Sequence, residues 1–248
     1  MFTIDERARL RSGLLDGAAK DGRISGAAIT GSATEGREDQ WSDVDLAFGV
    51  RDAAEMSNVL ADWTAHMYGE HGALHHVDVR AGAWIYRVFL LTSTLQVDLA
   101  FVPATEFRPL APTFQLVFGT ATEPQSFPAA ATADVVGMAW LYALHARSCI
   151  ARGKLWQAEY MVSGVRDHAL SLACMRLGFP AMHGRGFDSL PREVAGEFEG
   201  ALVAKLERAE LSRAFGVAMR GLLREIRCVD NELAGRLEGA LMEMTEIS

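Results

Sequence analysis

At 248 residues, half of them hydrophobic and 23% charged, the chain has the composition of an ordinary globular protein of one large or two modest domains. Its net charge of -8 argues against nucleic acid as a partner, because a phosphate-backbone interface runs on clustered Lys and Arg. Three cysteines, Cys149, Cys174 and Cys228, read as reduced thiols; with no apolar stretch long enough to span a bilayer and a charged N-terminus without a signal core, the expected location is cytoplasmic, with no membrane partner.

The chain opens with a capping box, Thr3 followed three residues later by Glu6, and Ile4, Leu10, Leu14 and Leu15 continue at helical spacing. Residues 24–30 (ISGAAIT) read as a buried strand ending at Gly31, and 44–50 (VDLAFGV) as a second. Residues 52–69 read as an amphipathic helix and 74–79 as a short strand. Residues 84–91 and 95–102 flank a short polar turn, a hairpin signal, and 114–119 is a last strand candidate. Five of the seven prolines lie between Pro103 and Pro128, which marks an irregular connection. Beyond it, residues 132–152, 155–178, roughly 190–209 and 210–246 all carry helical periodicity. The expected fold class is α+β: a small mixed β-sheet domain with flanking helices over residues 1–128, followed by an all-α helical bundle over 129–248.

Chemistry concentrates between Thr30 and Val50, TGSATEGREDQWSDVDLAFGV. Asp43 and Asp45 share one face of a strand while Val44 and Leu46 point to the other, since side chains alternate. In LQVDLAFV the same alternation puts Gln96, Asp98 and Ala100 on one face and Val97, Leu99 and Phe101 on the core side. If the two strands are neighbours, three carboxylates converge, and their repulsion calls for a divalent cation. Gly31 permits a tight turn and close backbone approach; the backbone there and the Ser32 hydroxyl could hold phosphate oxygens. A phosphate cradle beside a carboxylate cluster is the layout of two-metal phosphoryl or nucleotidyl transfer.

Gly31-Ser32, Gly36 and Ser42-Asp43-Val44-Asp45, with Asp98 on a later strand, resemble the signature of the polymerase-β-type nucleotidyltransferase superfamily, and the spacing resembles its small members, including the antibiotic (aminoglycoside and lincosamide) nucleotidyltransferases. The resemblance covers about 100 residues, and more loosely the helical tail. It implies transfer of an NMP, AMP from ATP most of all, to a hydroxyl of a small-molecule acceptor, with two Mg²⁺ ions as cofactors. Asp43 and Asp45 would hold both ions, Asp98 the catalytic one, and Gly31, Ser32 and Ser42 the nucleotide. The minimal members often carry Arg soon after Gly-Ser; here Ala33 and Glu35 stand there, which moves the triphosphate contacts to residues such as Lys154. On the helix from Leu155, Glu159, Ser163 and Arg166 form a polar stripe beside an apolar face. It reads either as a solvated flank with a Glu159–Arg166 contact, or as an acceptor-binding surface in a cleft between the domains, with Glu159 and Arg166 as contacts.

Other readings are weaker. His71, His75 and His76 lack matching metal ligands nearby and read as surface or strand-edge histidines. Arg176 and His183 have the spacing of the Arg-x4–6-His motif of helical ribonuclease-like toxins, whose partners are minimal nucleotidyltransferases, but Gly178 and Pro180 break the helix that motif needs. Transfer to a protein or RNA acceptor and a non-catalytic NTP-binding role are the alternatives; the acidic first domain disfavours RNA and the full carboxylate set disfavours a non-catalytic role.

Overall fold

In the computed structural model, which describes residues 2–125 and 131–247, the chain is α+β: a six-stranded mixed sheet with flanking helices, followed by a helical region. Two units divide it, Met1–Pro128 and Ala129–Ser248. The domain boundary expected near residue 128 lies outside the described residues.

The first unit begins with α1 (Ile4–Lys20), started by the Thr3–Glu6 capping box. The Glu6 backbone N–H donates to the Thr3 hydroxyl at 3.2 Å, and the Thr3 backbone N–H donates to the Glu6 carboxylate at 2.7 Å. There follow β1 (Ile24–Thr30), β2 (Val44–Val50), α2 (Met56–Glu70), β3 (Ala73–Ala81), β4 (Trp84–Leu91), β5 (Gln96–Pro103) and β6 (Phe114–Gly119). The sheet order is β3-β4-β5-β2-β1-β6. Only the central β2–β5 pair is parallel; the other neighbours are antiparallel. Helix α2 and the β3-β4-β5 meander carry the chain from β2 back to its own parallel partner.

Both faces of the central strands are covered. On one, Val44, Leu46, Phe48, Val97, Leu99 and Phe101 are buried together with Leu14 of α1 and Val59, Trp63 and Met67 of α2. The rings of Phe48, Trp63 and Phe101 meet with centroids 4.9 to 6.1 Å apart. The other face carries a smaller apolar cluster of Ala28, Ala47, Trp84, Ala100, Val102 and Phe107. Strict alternation along β2 and β5 thus separates a large core from the face that holds the carboxylates.

Two boundaries in this unit differ from expectation. The helix expected from 52 starts at Met56, because the Asp52 side chain accepts from the Ala54 N–H at 2.9 Å and folds residues 53–55 into a tight 3₁₀ turn first. The short strand expected at 74–79 runs from Ala73 to Ala81, since its pairing with β4 continues to Trp84.

The second unit contains α3 (Thr132–Ala151), α4 (Leu155–Leu177), α5 (Arg192–Ala195), α6 (Arg208–Val229) and α7 (Asn231–Glu243). Its core gathers Ala143, Ala146 and Ile150 of α3, Val162, Val165 and Leu172 of α4, and Phe215, Met219 and Leu222 of α6. Helix α4 ends in a left-handed cap at Gly178, where the Phe179 and Gly178 N–H groups bond back to the Cys174 and Met175 carbonyls, the Schellman arrangement. That stop leaves Arg176 inside the helix end, where it donates to Glu225, a buried carboxylate of α6, at 2.9 and 3.1 Å. The helix expected over 190–209 is not formed. Four helical residues give way at Gly196 to a 3₁₀ segment ending at Ala201. Arg213 then holds the following loop by donating to the Gly200 and Leu202 carbonyls. The helix expected over 210–246 divides at Asp230, whose carboxylate accepts from the Leu233 N–H at 2.8 Å and caps α7. Cys149 and Cys174 are buried and Cys228 is exposed, all as free thiols. Among the described residues no helix is long and apolar enough to cross a membrane.

Candidate functional site

The parallel pairing of β2 with β5 sets Asp45 directly opposite Asp98, with Asp43 at the entry to β2. The three carboxylates each offer an oxygen within 4.8 Å of the others. Among the described residues this is the one cluster of His, Cys, Asp or Glu side chains that could hold a metal ion. The histidines make other contacts: His71 meets His66 at 3.1 Å, and His76 meets the Tyr68 hydroxyl at 3.0 Å.

Gly31 lies directly against Asp45. It follows β1 with a left-handed backbone, φ 69°, and opens a 3₁₀ turn, Gly31–Glu35, that contains Ser32. A Cβ at this position would stand 2.9 Å from the Asp45 carboxyl carbon, and nearer still to its Oδ2. Glycine is therefore required twice over, by the backbone angle and by the approach of Asp45.

The loop leading into Asp43 is held by a residue that sequence reasoning missed. Arg7 is fully buried in α1, and its guanidinium donates to the Asp39 carbonyl and, at 2.9 Å, to the Ser42 carbonyl. It also pairs with Glu38 at 3.2 Å, and Arg11 pairs with the same carboxylate at 2.7 Å. Ser42 is occupied in this loop: its hydroxyl accepts from the Asp39 N–H at 3.0 Å and donates to the Asp39 carboxylate at 3.1 Å. Hydrogen bonds from the Trp41 N–H and from Ser42 hold the Asp39 carboxyl below its usual range. Helical spacing puts Arg7 on the same face as the buried Leu14 and Ala18 and away from the exposed Arg9, but its reach to residues 39 and 42 is visible only in three dimensions.

Gln96 is the second contributor. Its side-chain amide donates to Asp98 at 2.9 Å and to Asp43 at 3.4 Å. Strand alternation had placed it on this face. Burial first, and the Asp43 charge second, push the Asp98 carboxyl from its ordinary 3.8 up to about 6, against the lowering effect of the Gln96 hydrogen bond. A cation would reverse both influences, since it favours the charged carboxylate.

The donor set suits a hard divalent ion. Mg²⁺ and Ca²⁺ bind carboxylate oxygens at about 2.0–2.6 Å, so oxygens on opposite sides of one ion lie about 4–5 Å apart. The three carboxylates present oxygens that all lie within 4.8 Å of one another, inside that span.

The remaining candidate residues belong to the helical unit. Lys154 is exposed at the N-terminus of α4. Glu159 accepts from the Ser163 hydroxyl at 2.8 Å. The Glu159–Arg166 contact of the solvated-flank reading is replaced: Arg166 bonds instead to its neighbour Asp167, at 2.8 and 2.9 Å. The shorter reach to an adjacent carboxylate outcompetes one two turns away.

No protein-family model matches the chain, and no curated protein sequence matches it. Among solved structures, an aminoglycoside 6-adenyltransferase from Bacillus subtilis aligns over 98% of this chain and 99% of its own, with 14% sequence identity and a TM-score of 0.41.

Proposed function

We propose that the chain is a divalent-metal-dependent nucleotidyltransferase that moves an NMP, AMP from ATP in the first instance, to a hydroxyl of a small-molecule acceptor. The observation that carries this reading is the register of β2 against β5, which brings Asp43, Asp45 and Asp98 together beside the Gly31 turn. Mg²⁺ held by these three carboxylates would neutralise charge on the triphosphate and on the reacting oxygens. The chain's own part is positional. Asp98, raised towards its protonated form by burial in the metal-free site and ionised once a cation is held there, would take or orient the proton of the acceptor hydroxyl. That oxygen attacks the α-phosphorus and pyrophosphate leaves. The Gly31–Ser32 turn would hold the phosphate tail, and the Arg7 clamp keeps the Asp43 loop in place. Ser42 contributes to that loop through the Asp39 turn. Lys154 would contact the phosphates, and Glu159 and Arg166 the acceptor. Glu159 is supported by its carboxylate being left unpaired by Arg166.

The test is pyrophosphate release from ATP and Mg²⁺ with a panel of aminoglycosides and lincosamides, run beside tRNA and a protein acceptor. Release is expected with a small molecule and should vanish in Asp43→Asn and in Asp45→Asn while both variants stay folded. Release at near wild-type rate in either variant would remove the mechanism, and release confined to tRNA or protein would move the acceptor to that class. Glu159→Gln should lower acceptor kcat/KM by about ten- to a hundredfold, as for loss of a charge-assisted contact.

A further inference from the structure

We propose that the chain pairs with a second copy of itself along the outer edge of β3, in an antiparallel ladder whose two-fold axis passes through Val79. The inference is independent of the transferase reading. Strand β3 ends the sheet, and among the described residues no strand pairs with its outer side. Its sequence, ALHHVDVRA, has neither proline nor lysine, residues that commonly blunt an edge, and Val77 and Val79 are 55% and 54% exposed on it. The opposite edge differs. There β6 carries an extra residue, Val117, where its pairing with β1 shifts between Ala27 and Ala28, and such a bulge turns an edge away from new partners.

The β3–β4 hairpin decides which backbone groups point outward. Ala81 pairs with Trp84 across the turn Gly82–Ala83, and Gly82 has a φ of 60°, as the first central residue of a type II′ turn requires. The residues flanking such a turn exchange both of their hydrogen bonds, and the pattern alternates along an antiparallel strand. Ala81, Val79 and Val77 therefore direct N–H and C=O to β4, while Arg80, Asp78 and His76 direct theirs to the open side. The pairing is regular from His75 to Ala81 and shifts between Ala73 and His75, so a bulge at Leu74 ends the flat part of the edge.

Charge selects the register. Asp78 and Arg80 share the sheet face towards α2, where Arg87 bonds both Asp78 and Thr64. A two-fold at Val79 sets Asp78 opposite Arg80 of the second copy, and Arg80 opposite its Asp78. All four are outward residues, so each pair also exchanges two backbone hydrogen bonds. On the other face Val79 meets Val79, and Val77 meets Ala81. A two-fold at Asp78 would instead set carboxylate against carboxylate and His76 against Arg80, and one at Val77 would leave Arg80 opposite the Leu74 bulge. The Arg80 side chain is 67% exposed and 3.8 Å from Asp78 of its own chain, so it is free to turn to a facing carboxylate. Edge charges ordinarily keep copies apart; here the same charges are complementary between copies. The paired segment, Val77–Ala81, is far shorter than the roughly 20–30 residues a side of a standard interface, so the expected dissociation constant is on the order of 100 µM.

The test uses the full chain. Sedimentation equilibrium at concentrations from about 10 to 500 µM should show a monomer–dimer equilibrium near that constant. Arg80→Glu, a change at an exposed side chain, should weaken it by about tenfold or more, because like charges then face each other twice, with an unchanged circular dichroism spectrum. The register is read by cross-linking with diamide in a Cys228→Ser background, which removes the exposed thiol. Two Val79→Cys residues would face each other at a non-hydrogen-bonded site, about 4.5 Å between Cα atoms, within disulfide reach. Two Val77→Cys residues would lie about 13 Å apart, beyond it. Val79→Cys should therefore give a covalent dimer and Val77→Cys should not. A chain that stays monomeric at 500 µM, a dimer that Arg80→Glu leaves as tight, or cross-linking at Val77→Cys as fast as at Val79→Cys would overturn the proposal. None of these readouts needs metal, nucleotide or turnover, so failure of the dimer and failure of the transferase reading are separate results.

Discussion

Substituting Gly31 with alanine perturbs the site in two ways that can be measured apart. The first is backbone strain: φ is 69°, and a residue with a Cβ costs about 1–2 kcal/mol there, which lowers Tm by several degrees for a chain of this size. The second is steric. The new Cβ would lie 2.9 Å from the Asp45 carboxyl carbon, where ordinary contact begins at 3.4 Å. The carboxyl carbon must therefore retreat by about 0.5 Å, and the nearer Oδ2 by more, beyond the tolerance of about 0.2 Å on metal–ligand distances. Gly36→Ala is the control, since Gly36 is also left-handed, φ 63°, but a Cβ there meets nothing within 4 Å. Both variants should lose similar stability. Only Gly31→Ala should lose affinity for Mn²⁺, by about tenfold or more, read by electron paramagnetic resonance titration of the free ion. If the two variants bind Mn²⁺ equally well, Asp45 is not a ligand, or the approach of Gly31 does not hold it.

Asp98 gives a pH prediction. Its folded-state pKa, raised from 3.8 to about 6, means that the metal-free folded state keeps a proton the unfolded state has lost. The stability Asp98 contributes to is therefore greatest below about pH 4 and falls as pH rises through 6. Asp98→Asn should flatten that part of the Tm-against-pH curve and melt above the wild type at pH 8 in EDTA; a parallel pair of curves would contradict the burial of this carboxyl. In the assay the same variant should lose about 10²–10⁴-fold in rate at saturating ATP. Arg7→Met should cost about 1–3 kcal/mol by stranding the Asp39 and Ser42 carbonyls, measured by urea unfolding. It should also weaken Mn²⁺ binding, because Asp43 follows directly from that loop; unchanged metal affinity in the folded variant would make Arg7 purely structural.

The strands were legible because burial and alternation coincide in them. Val44, Leu46 and Phe48 on β2 and Val97, Leu99 and Phe101 on β5 line one core, and the aspartates occupy the residues between. Sequence could state the condition, that the two strands be neighbours, but not that the neighbour relation is parallel and in register, which depends on how the meander returns. The helical unit was less legible where side chains override periodicity. Phe198 and Ala201 are buried at a spacing a helix would also produce, yet Gly196 and Gly200 and the Arg213 bonds to loop carbonyls favour tighter, irregular turns. Arg166 illustrates a third case: the helical stripe pointed to Glu159, and the adjacent Asp167 won.

The pairing of β2 with β5 joins residues that are 53 positions apart in the chain, Asp45 and Asp98, and it makes one constraint serve two ends. A slip of one residue between these strands would set Val97 or Leu99 opposite Asp45 and carry Asp98 towards the face that packs on α1 and α2. The core and the carboxylate cluster would fail in the same event. An insertion or deletion inside β5 therefore has no intermediate phenotype of a stable but metal-blind protein. Lengthening the Thr92–Thr94 turn, which lies outside the register, is the change that can alter the chain's length here while leaving both intact. The cluster is thus a check on that one pairing: a divalent ion held by it would bind only sheets in which β2 and β5 are already in register, and so would stabilise that state over those in which they are not.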